Sequence, residues 1–492
     1  MEEEAEILEP LLLHFSDLLL LQSSPSDDDD GERKRLASLS TKIMEALGPT
    51  GPGLLAVAGV PKASRLRKTL LPLARKLGLL GIDDLRRVLK DHGLGTDVPL
   101  KDPNRRVSSF ALQLKYAEDQ NSEFTSGISS DDDEHGNDEK EQYGNINRMH
   151  DRHDYEIKKL GKSFKELGFF MMKLGLCVAK VCDKAIGDGE LEQSILESGT
   201  AKGRLIHYHS NLDNCILKEA RRGKQSTKRQ STCNISLPCR GFGDSISNNK
   251  NEKGRDKQTP LNGQNLENFQ SGVMPCCRTS ISNLWQQWHY DYGIFTVLTS
   301  PMFLSPCQLK TTKADVGFCI SCAQECSPSD GHTYLQVFDA NKNKIVLVRL
   351  PVESFIVQVG ESADILSKGK LRSSLHSVCR PLGQEELSRE TFVVFLQPAW
   401  DKILSISEYP ITGCKNSTSD DKVSQIDNEK TEMDSDVRST YLNNNESHKI
   451  VHEILNVVPP LSSRLKSGMT FAEFSRATTK QYYGGSGLQS KR

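Results

Sequence analysis

The sequence predicts an α+β fold, with helices toward both ends of the chain and a core of short β-strands between them. Three features predict it. Apolar residues recur at helical spacing through residues 160–181. Short apolar runs with hairpin spacing occupy residues 333–396. Long polar segments separate these apolar regions. On the residues alone, the strands fit a sandwich, a jelly roll or a barrel.

Composition limits how much of the chain can pack. A chain of 492 residues and 54.8 kDa is long enough for three domains of ordinary size. However, only 36% of its residues are hydrophobic and its mean hydropathy is -0.49, so part of it is not expected to join a core. A net charge of -2 and a pI near 6.7 exclude a globally basic nucleic-acid binder. Because no apolar run approaches ~18 residues, no membrane-spanning helix is expected.

Polar segments divide the chain. Residues 1–36 form an acidic and apolar N-terminal arm, and three inserts are too polar to offset their ordering entropy, so they are expected to be disordered. These inserts are 118–153 (acidic), 211–283 (basic and polar) and 415–447 (polar). What remains, about 310 residues, suits one large domain. Its parts are an N-terminal helical part (37–117), a long helix with the first barrel strand (154–210), the β-core (284–410) and a C-terminal helical segment (449–485).

Helical elements are predicted before the core. The apolar run from Gly53 to Val60 is typical of a buried strand, and Pro61 ends it. Leucines at helical spacing follow, at Leu66, Leu70, Leu73 and Leu77. A longer helix has one apolar stripe, formed by Leu160, Phe164, Leu167, Met171, Leu174, Val178 and Val181.

Strands dominate the second half of the chain. Residues 333–338 and 345–350 flank a polar turn, which predicts a hairpin. Further short strands are expected at 355–359, 373–379 and 391–396. Thr470 to Glu473 fits a helix-capping box, so a C-terminal helix should begin there with Phe471 and Phe474 facing inward.

Three residues of the strand region can share a metal ion. Side chains two apart on a strand point the same way, so His289 and Asp291 should face one side. His376, on a later strand, can supply the third ligand. Two histidines and one carboxylate form the facial triad that holds non-haem Fe(II).

A second pair at the same spacing suits an anion. Arg389 and Thr391 should project from one strand face. The planar guanidinium can bind a carboxylate in a bidentate manner, and the hydroxyl adds a donor. The pair therefore fits a dicarboxylate that reaches back from the metal. The plain alternative for Arg389 is a surface salt bridge, which would contribute little.

Seven segments resemble the 2-oxoglutarate- and Fe(II)-dependent oxygenases, in their plant, isopenicillin N synthase-like branch. The strand His289–Leu298 resembles the family's HTDxGxLTLL motif, and Arg389–Thr391 resembles its RxS pair. The other similar segments, with the family's motif in parentheses, are Tyr334–Val337 (GLQV), Phe355–Glu361 (fVVNxGD), Ser374–Val378 (SxxHRV), Arg204–Tyr208 (NYY) and Val57–Pro61 (NHGVP). The sequence departs from the family pattern at Thr391, at Ser377, and in the longer spacing between His376 and Arg389.

This resemblance implies a double-stranded β-helix (a jelly roll, cupin-like) with N-terminal and C-terminal flanking helices and long disordered inserts. It implies that His289, Asp291 and His376 hold Fe(II), and that Arg389, Thr391 and Tyr208 bind the co-substrate 2-oxoglutarate. The expected activity is O2-dependent hydroxylation, demethylation or desaturation, with release of succinate and CO2 and with ascorbate as an optional addition. The expected substrate is a small molecule that the resemblance does not identify.

An alternative function is a catalytically inactive protein of the oxygenase fold that serves as a binding module, with protein partners that contact the disordered inserts.

Thirteen cysteines and an N-terminus without a signal peptide predict a cytoplasmic or nuclear location with reduced thiols. Neither a membrane nor nucleic acid is an expected partner. The basic residues of the 211–283 insert are interpreted as a solvated charged loop. A nuclear import signal or a nucleic-acid patch is the less favoured alternative, because no aromatic residues are interleaved for base stacking.

Other candidate ligands are weaker. Four cysteines at close spacing could bind Zn(II), although ordinary reduced thiols are favoured because a second distant CxxC pair is missing. They are Cys307, Cys319, Cys322 and Cys326. His207, His209 and His332 have no partner at ligand spacing, and are interpreted as polar strand or loop residues.

Overall fold

A computed structural model describes residues 6–22, 30–96, 98, 102, 104–119, 156–226, 283–309, 317–327, 331–405, 452–454 and 456–483. Its helices are α1 (Phe15–Gln22), α2 (Asp30–Leu47), α3 (Ala63–Leu79), α4 (Ile82–Asp91), α5 (Tyr116–Asp119), α6 (Leu160–Ile186), α7 (Glu190–Ser198), α8 (Asn211–Ser226), α9 (Glu361–Leu366), α10 (Leu461–Arg464) and α11 (Phe471–Tyr483). Within this part of the chain, no helix is long and apolar enough to cross a membrane.

The strands are β1 (Glu6–Leu8), β2 (Leu12–His14), β3 (Leu54–Ala58), β4 (Gly95–Thr96), β5 (Val107–Lys115), β6 (Thr200–Tyr208), β7 (Leu284–His289), β8 (Phe295–Thr299), β9 (Met302–Leu309), β10 (Gly317–Cys326), β11 (Leu335–Asp339), β12 (Lys344–Val348), β13 (Phe355–Val359), β14 (His376–Cys379) and β15 (Ser388–Leu396). They form two sheets. The small sheet has the order β1-β12-β11-β14-β7. The large sheet has the order β2-β3-β13-β8-β15-β6-β5-β4, with β9 pairing to β15 and to β10.

The two sheets enclose a shared apolar layer. It contains side chains from both: Leu54, Ile206, Tyr208, Ile356 and Val393 from the large sheet, and Trp285, Leu335, Val337, Val346, Val348 and Val378 from the small one. Most neighbouring strands are antiparallel, and the chain crosses repeatedly between the two sheets, as it does from β7 to β8 and from β12 through β13 to β14 and β15. This arrangement is a double-stranded β-helix, so the predicted fold class is confirmed.

Helices cover the outer face of the large sheet. Side chains alternate along a strand, so Val393 faces the inter-sheet layer while Val394 faces the helices. The predicted apolar stripe of α6 packs there, and the Phe164 and Phe392 rings meet edge to face at 4.7 Å. The predicted hairpin of β11 and β12 is confirmed as well.

The C-terminal capping box also forms as predicted. Glu473 accepts a hydrogen bond from the Thr470 backbone N–H at 2.9 Å, and the Thr470 hydroxyl accepts one from the Glu473 N–H at 3.3 Å. Phe471 and Phe474 are fully buried against the end of the core. The helix therefore docks through the two aromatic residues that its sequence pattern placed inward.

The described parts of the N-terminal arm, residues 6–22 and 30–36, are integral to the fold. β1 pairs in parallel with β12 of the small sheet, and β2 pairs in parallel with β3 of the large sheet. α1 then buries Leu18 against the same core that α6 joins. The arm thus adds an edge strand to each sheet and ties the two together.

The expected disordered insert 211–283 also needs correction at its start. Residues 211–226 form α8, whose Asp213 is fully buried. Hydrogen bonds at the helix start help to explain why this polar segment is helical. The Ser210 backbone N–H and hydroxyl both donate to Asp213 Oδ2, at 2.9 and 2.8 Å. Residues 227–282 of that insert lie outside the described residues, as do 120–153 and the whole of 415–447.

Burial of α1 gives the arm a testable role in stability. Leu18 has no exposed surface, whereas Leu20 on the same helix is 39% exposed. Leu18→Ala is expected to lower the free energy of unfolding by about 2–5 kcal/mol, because it removes buried methyl groups and leaves a cavity. Leu20→Ala is the matched control and should change it by less than about 1 kcal/mol. Urea denaturation of both variants is the measurement, and equal effects would mean that the arm does not pack on the core.

Candidate metal and co-substrate site

The candidate metal ligands come together where the chain leaves the small sheet. His289 ends β7, His376 begins β14, and the two residues are register partners in that antiparallel pair. Their rings lie 4.3 Å apart between centroids. Asp291 follows in the turn that leads to β8. One donor atom from each of the three residues lies within 4.8 Å of the others, so the structure places the predicted triad in one cluster.

Hydrogen bonds aim both imidazoles at the same point. His289 Nδ1 lies 2.8 Å from the Gln287 carbonyl oxygen, and His376 Nδ1 lies 3.0 Å from that of Ser374. Each Nδ1–H therefore donates to a backbone carbonyl, which leaves Nε2 as the ring atom that could coordinate a metal. These Nε2 atoms are 3.7 Å (His289) and 3.8 Å (His376) from the carboxylate oxygens of Asp291.

The Asp291 residue is held from two sides. The Thr296 hydroxyl donates to its Oδ2 at 2.7 Å, and the backbone N–H of Glu361 donates to its carbonyl oxygen at 2.8 Å. A side chain at Gly360 could not be accommodated, because a Cβ there would come within 2.3 Å of the Gly293 carbonyl oxygen. The glycine thus lets the start of α9 approach the Asp291 turn closely.

The donor set fits Fe(II). Two neutral imidazoles and one carboxylate, with other positions left to co-substrate and oxygen, are the preferred ligands of non-haem iron. Burial, together with the neighbouring His376, lowers the pKa of His289 to about 4. The imidazole is therefore neutral near pH 7, which is the form that coordinates a metal. All three side chains are largely buried, which limits competition by water.

The predicted co-substrate residues line the adjoining part of the inter-sheet layer. Arg389 and Tyr208 are register partners on β15 and β6, and the guanidinium lies 5.1 Å from the centre of the Tyr208 ring. Arg389 Nε donates to the Thr333 carbonyl at 3.0 Å. Thr391, two residues along β15, is buried with its Oγ1 3.4 Å from that of Thr299. The three candidates therefore lie on neighbouring strands of the large sheet.

Arg389 carries its charge in a buried position. Among the described residues, no carboxylate forms an ion pair with it, although its side chain is only 3% exposed. Burial lowers the pKa of the guanidinium, which nonetheless remains protonated near neutral pH. A buried cation without an anionic partner is costly, so the position favours binding of an anion.

Gln286 connects the candidate metal ligands to the co-substrate candidates, and it was not predicted from the sequence. Tyr208 donates its hydroxyl hydrogen to Gln286 Oε1 at 2.7 Å, and the Gln286 side-chain amide donates to His289 Nε2 at 2.9 Å. Burial raises the pKa of Tyr208, so its hydroxyl is a donor at neutral pH. Strict alternation would place Gln286 opposite to His289, but the register of β7 against β14 shifts between them. This bulge turns Gln286 toward the site.

Tyr482 of the C-terminal helix was missed too. Its ring lies 6.4 Å from that of His289, and its hydroxyl accepts a hydrogen bond from the Tyr290 backbone N–H at 3.2 Å. Arg464 of α10 fixes the same segment through a bidentate pair with Glu361, at 2.6 and 2.5 Å. No spacing rule links residues so far apart, so the sequence offered no signal for either contact.

His207 lies on β6 and His209 directly follows it, as their interpretation as polar strand and loop residues predicted, but the expectation that they have no ligand partner was wrong. His207 and His209 lie with Asp213, all fully buried, with one donor atom from each within 4.8 Å of the others. His332 is a buried loop residue outside both clusters. Burial, with the neighbouring His207, lowers the pKa of His209 well below its ordinary value.

The cysteine alternative stays a prediction. Cys307 and Cys319 are register partners on β9 and β10, but the side chains of Cys307, Cys319 and Cys322 lie outside the described residues. Cys326 is partly exposed, and its thiol lies 3.5 Å from the Gln324 carbonyl oxygen. The basic residues of the 211–283 insert that follow residue 226 also lie outside the described residues.

Comparison with known proteins identifies part of this core. Residues 315–398 match the model of the 2OG-Fe(II) oxygenase superfamily, a range that includes His376, Arg389 and Thr391. This match confirms the resemblance to that superfamily. No curated protein matches the chain.

Solved structures with similarity to the chain have low sequence identity. A full-length protein of Neurospora crassa, solved in complex with alpha-KG, is 14% identical over 82% of this chain and 90% of its own, with a TM-score of 0.42. The dioxygenase for auxin oxidation from rice is 15% identical over 83% and 90%, with a TM-score of 0.41. That from Arabidopsis thaliana, a complex with 2-oxoglutarate, is 14% identical over 80% and 94%, with a TM-score of 0.36.

The hydrogen bond from Thr296 to Asp291 can be tested alone. Thr296→Val keeps the shape and β-propensity of the residue but removes the donor. The affinity for Fe(II) is expected to fall by about 10-fold, because partners of metal ligands orient them. Ser362→Ala is the control, since that hydroxyl donates to the nearby Tyr292 carbonyl and not to a ligand. Titration with Fe(II) under argon measures both, and equal affinities would show that Thr296 does not position Asp291.

Proposed function

We propose that this member of the 2OG-Fe(II) oxygenase superfamily oxidises a small-molecule substrate, by hydroxylation, demethylation or desaturation, with release of succinate and CO2. In this proposal His289, Asp291 and His376 hold Fe(II). Arg389, Thr391 and Tyr208 bind the 2-oxoglutarate co-substrate. Fe(II) and 2-oxoglutarate are the cofactor and co-substrate that give the matched superfamily its name.

The main support for this proposal is that the candidate metal ligands and the candidate co-substrate residues are joined by direct contacts. Arg389 stacks on Tyr208, whose hydroxyl donates to Gln286, and the Gln286 side chain lies beside His289. A buried cation and a buried triad are therefore linked by a chain of side-chain contacts between the sheets. A molecule with a metal-chelating end and a distant carboxylate is complementary to that combination of groups.

The chain's residues bind, orient and exclude water. The backbone carbonyls of Gln287 and Ser374 keep the imidazoles in the tautomer that presents Nε2. Apolar side chains such as Ile356 and Val393 surround the polar groups, so electrostatic attraction there is stronger than in water. When bound, Fe(II) and 2-oxoglutarate supply the oxidation chemistry itself, with O2 as the oxidant.

The C-terminal segment supports a small substrate. Tyr482 faces His289, and the buried pair of Arg464 with Glu361 fixes the segment beside the site. Arg464 is essentially unexposed, so this contact is part of the packed core. A covered site of this kind admits a small molecule more readily than a folded macromolecule.

The second candidate is a catalytically inactive binding module of the same fold. The observation that favours it is the hydrogen bond from Gln286 to His289 Nε2, which uses the lone pair that iron requires. Iron binding needs that amide to turn away. A protein that takes up no Fe(II) and forms no succinate under any substrate condition would support this second function.

The ligand assignment predicts the behaviour of His289→Ala and His376→Ala. Each should lower Fe(II) affinity by more than about 100-fold, since even the partners of ligands change affinity by about 10- to 100-fold. Succinate formation without prime substrate should disappear in both. His14→Ala, at an exposed histidine, is the control and should keep both properties. Iron content and succinate release are the measurements, and retained iron in either variant would contradict the assignment.

If Arg389 binds the far carboxylate of 2-oxoglutarate, its replacement should change the selectivity between 2-oxo acids with and without that carboxylate. Arg389→Met fills a similar volume without the charge, and should raise the KM for 2-oxoglutarate by about 10- to 100-fold. Turnover of a 2-oxo acid that lacks the far carboxylate, such as 2-oxobutyrate, should change little. The ratio of kcat/KM values for the two acids measures this selectivity, and Thr391→Val should lower it less. A ratio that is unchanged in Arg389→Met would remove Arg389 from the co-substrate site.

A further inference from the structure

A second histidine cluster lies on the opposite face of β6 from Tyr208. His207 and His209 flank Tyr208 in sequence, so strand alternation points them away from the inter-sheet layer and toward α3 and α8. A Cβ at Gly78 of α3 would meet the His207 ring at 2.6 Å. Asp213, in the first turn of α8, completes the cluster. All three side chains are fully buried.

In each imidazole, the ring nitrogen that points away from Asp213 is held by hydrogen bonds. His207 Nδ1 lies 2.8 Å from one carboxylate oxygen of Glu390 and 3.1 Å from the other. His209 Nε2 lies 2.8 Å from the Ser108 hydroxyl oxygen. A histidine that binds a metal typically donates its other N–H to a carboxylate or a similar acceptor. The surroundings therefore already orient both rings.

The inward nitrogens lack partners. Among the described residues, His207 Nε2 and His209 Nδ1 are buried with no hydrogen bond, and His207 Nε2 lies 3.6 Å from Asp213 Oδ2. Buried polar atoms nearly always have a partner, and exceptions call for an unseen water or ion. Two such nitrogens beside one carboxylate form a set of donor atoms that a bound cation would satisfy.

We propose that His207, His209 and Asp213 form a second metal site, which takes a divalent ion of the zinc class. Imidazole nitrogen and carboxylate oxygen are preferred ligands of Zn(II), with a fourth position for water or the Ser210 hydroxyl. This site is separate from the iron site and independent of the proposed oxidation.

Two carboxylates and two guanidinium groups surround the cluster. Asp213 and Glu390 bring the carboxylates. Arg105 Nε donates to the Ser108 hydroxyl oxygen at 2.8 Å, and Arg75 donates to Asp213 Oδ1 through Nε at 3.1 Å and Nη2 at 2.8 Å. Arg75 thereby fixes the carboxylate with Oδ2 toward His207. An ion here would link the end of β6 to α8 directly, and to α3 and β15 through Arg75 and Glu390. Its role would be to stabilise the start of the 211–283 segment.

Metal content in a protein without the iron ligands tests this site. The full-length variant His289→Ala/His376→Ala, exposed to Zn(II) or Co(II) and then dialysed, should retain about one ion per chain. Adding Asp213→Asn should remove it. Asp183→Asn, at another buried aspartate that accepts only backbone N–H groups, is the matched control and should not. Elemental analysis gives the count, and near-ultraviolet circular dichroism checks the fold.

A folded double-alanine variant that retains no ion would overturn the second site, as would retention that survives Asp213→Asn. If the double variant does not fold, crystals of the unmodified protein grown with Zn(II) decide the question by anomalous diffraction at the zinc edge. A peak between His207, His209 and Asp213 supports the site. A peak confined to His289, Asp291 and His376 overturns it, and leaves the proposed oxygenase function unaffected.

Discussion

The antiparallel pairing of β7 with β14 is the contact on which the candidate site depends. It joins strands that lie far apart in the sequence, and its register sets His289 opposite His376. After β7 the chain crosses to β8 in the large sheet, so Asp291 lies in the crossing, between the two layers. Because Ile294 and Glu361 form backbone hydrogen bonds across this crossing, to Leu396 and to Asp291, the third candidate ligand is fixed by the sandwich as a whole. A shift of one residue in β14 would turn His376 to the other face.

Strand alternation then divides the functional groups between two faces of the same pair of strands. On β6 and β15, Tyr208 and Arg389 face the inter-sheet layer, while His207 and Glu390 face the helices. The pairing register of β6 with β15 therefore places the co-substrate candidates on one face and the second histidine cluster on the other. Apolar residues between the two groups keep each in a low-dielectric environment. Buried polar groups of this density are compatible with a stable core only when each is satisfied by a neighbour or a bound ion.

Local patterns predicted those features that depend on local geometry. The α6 stripe and the Arg389/Thr391 pair follow from the periods of a helix and a strand, and the β11–β12 hairpin and the capping box follow from local turn and helix-end patterns. The bulge that turns Gln286 toward His289 breaks that period and was therefore invisible. Asp213 was missed because the polar composition of residues 211–283 concealed a capped helix start. β1 and β2 have three residues each, so their strand character comes from distant partners rather than from their own sequence.

The pair of Arg464 with Glu361 shows how the C-terminal segment contributes. A buried ion pair adds little net stability, because desolvation of both groups offsets their attraction, but its bidentate geometry strongly restricts orientation. Glu361 begins α9, and its backbone N–H donates to Asp291, so the pair holds the same turn that carries the third candidate ligand. Tyr482 reaches His289 from that segment as well. The C-terminal helices are therefore better understood as a support for the geometry of the site than as an additional source of stability.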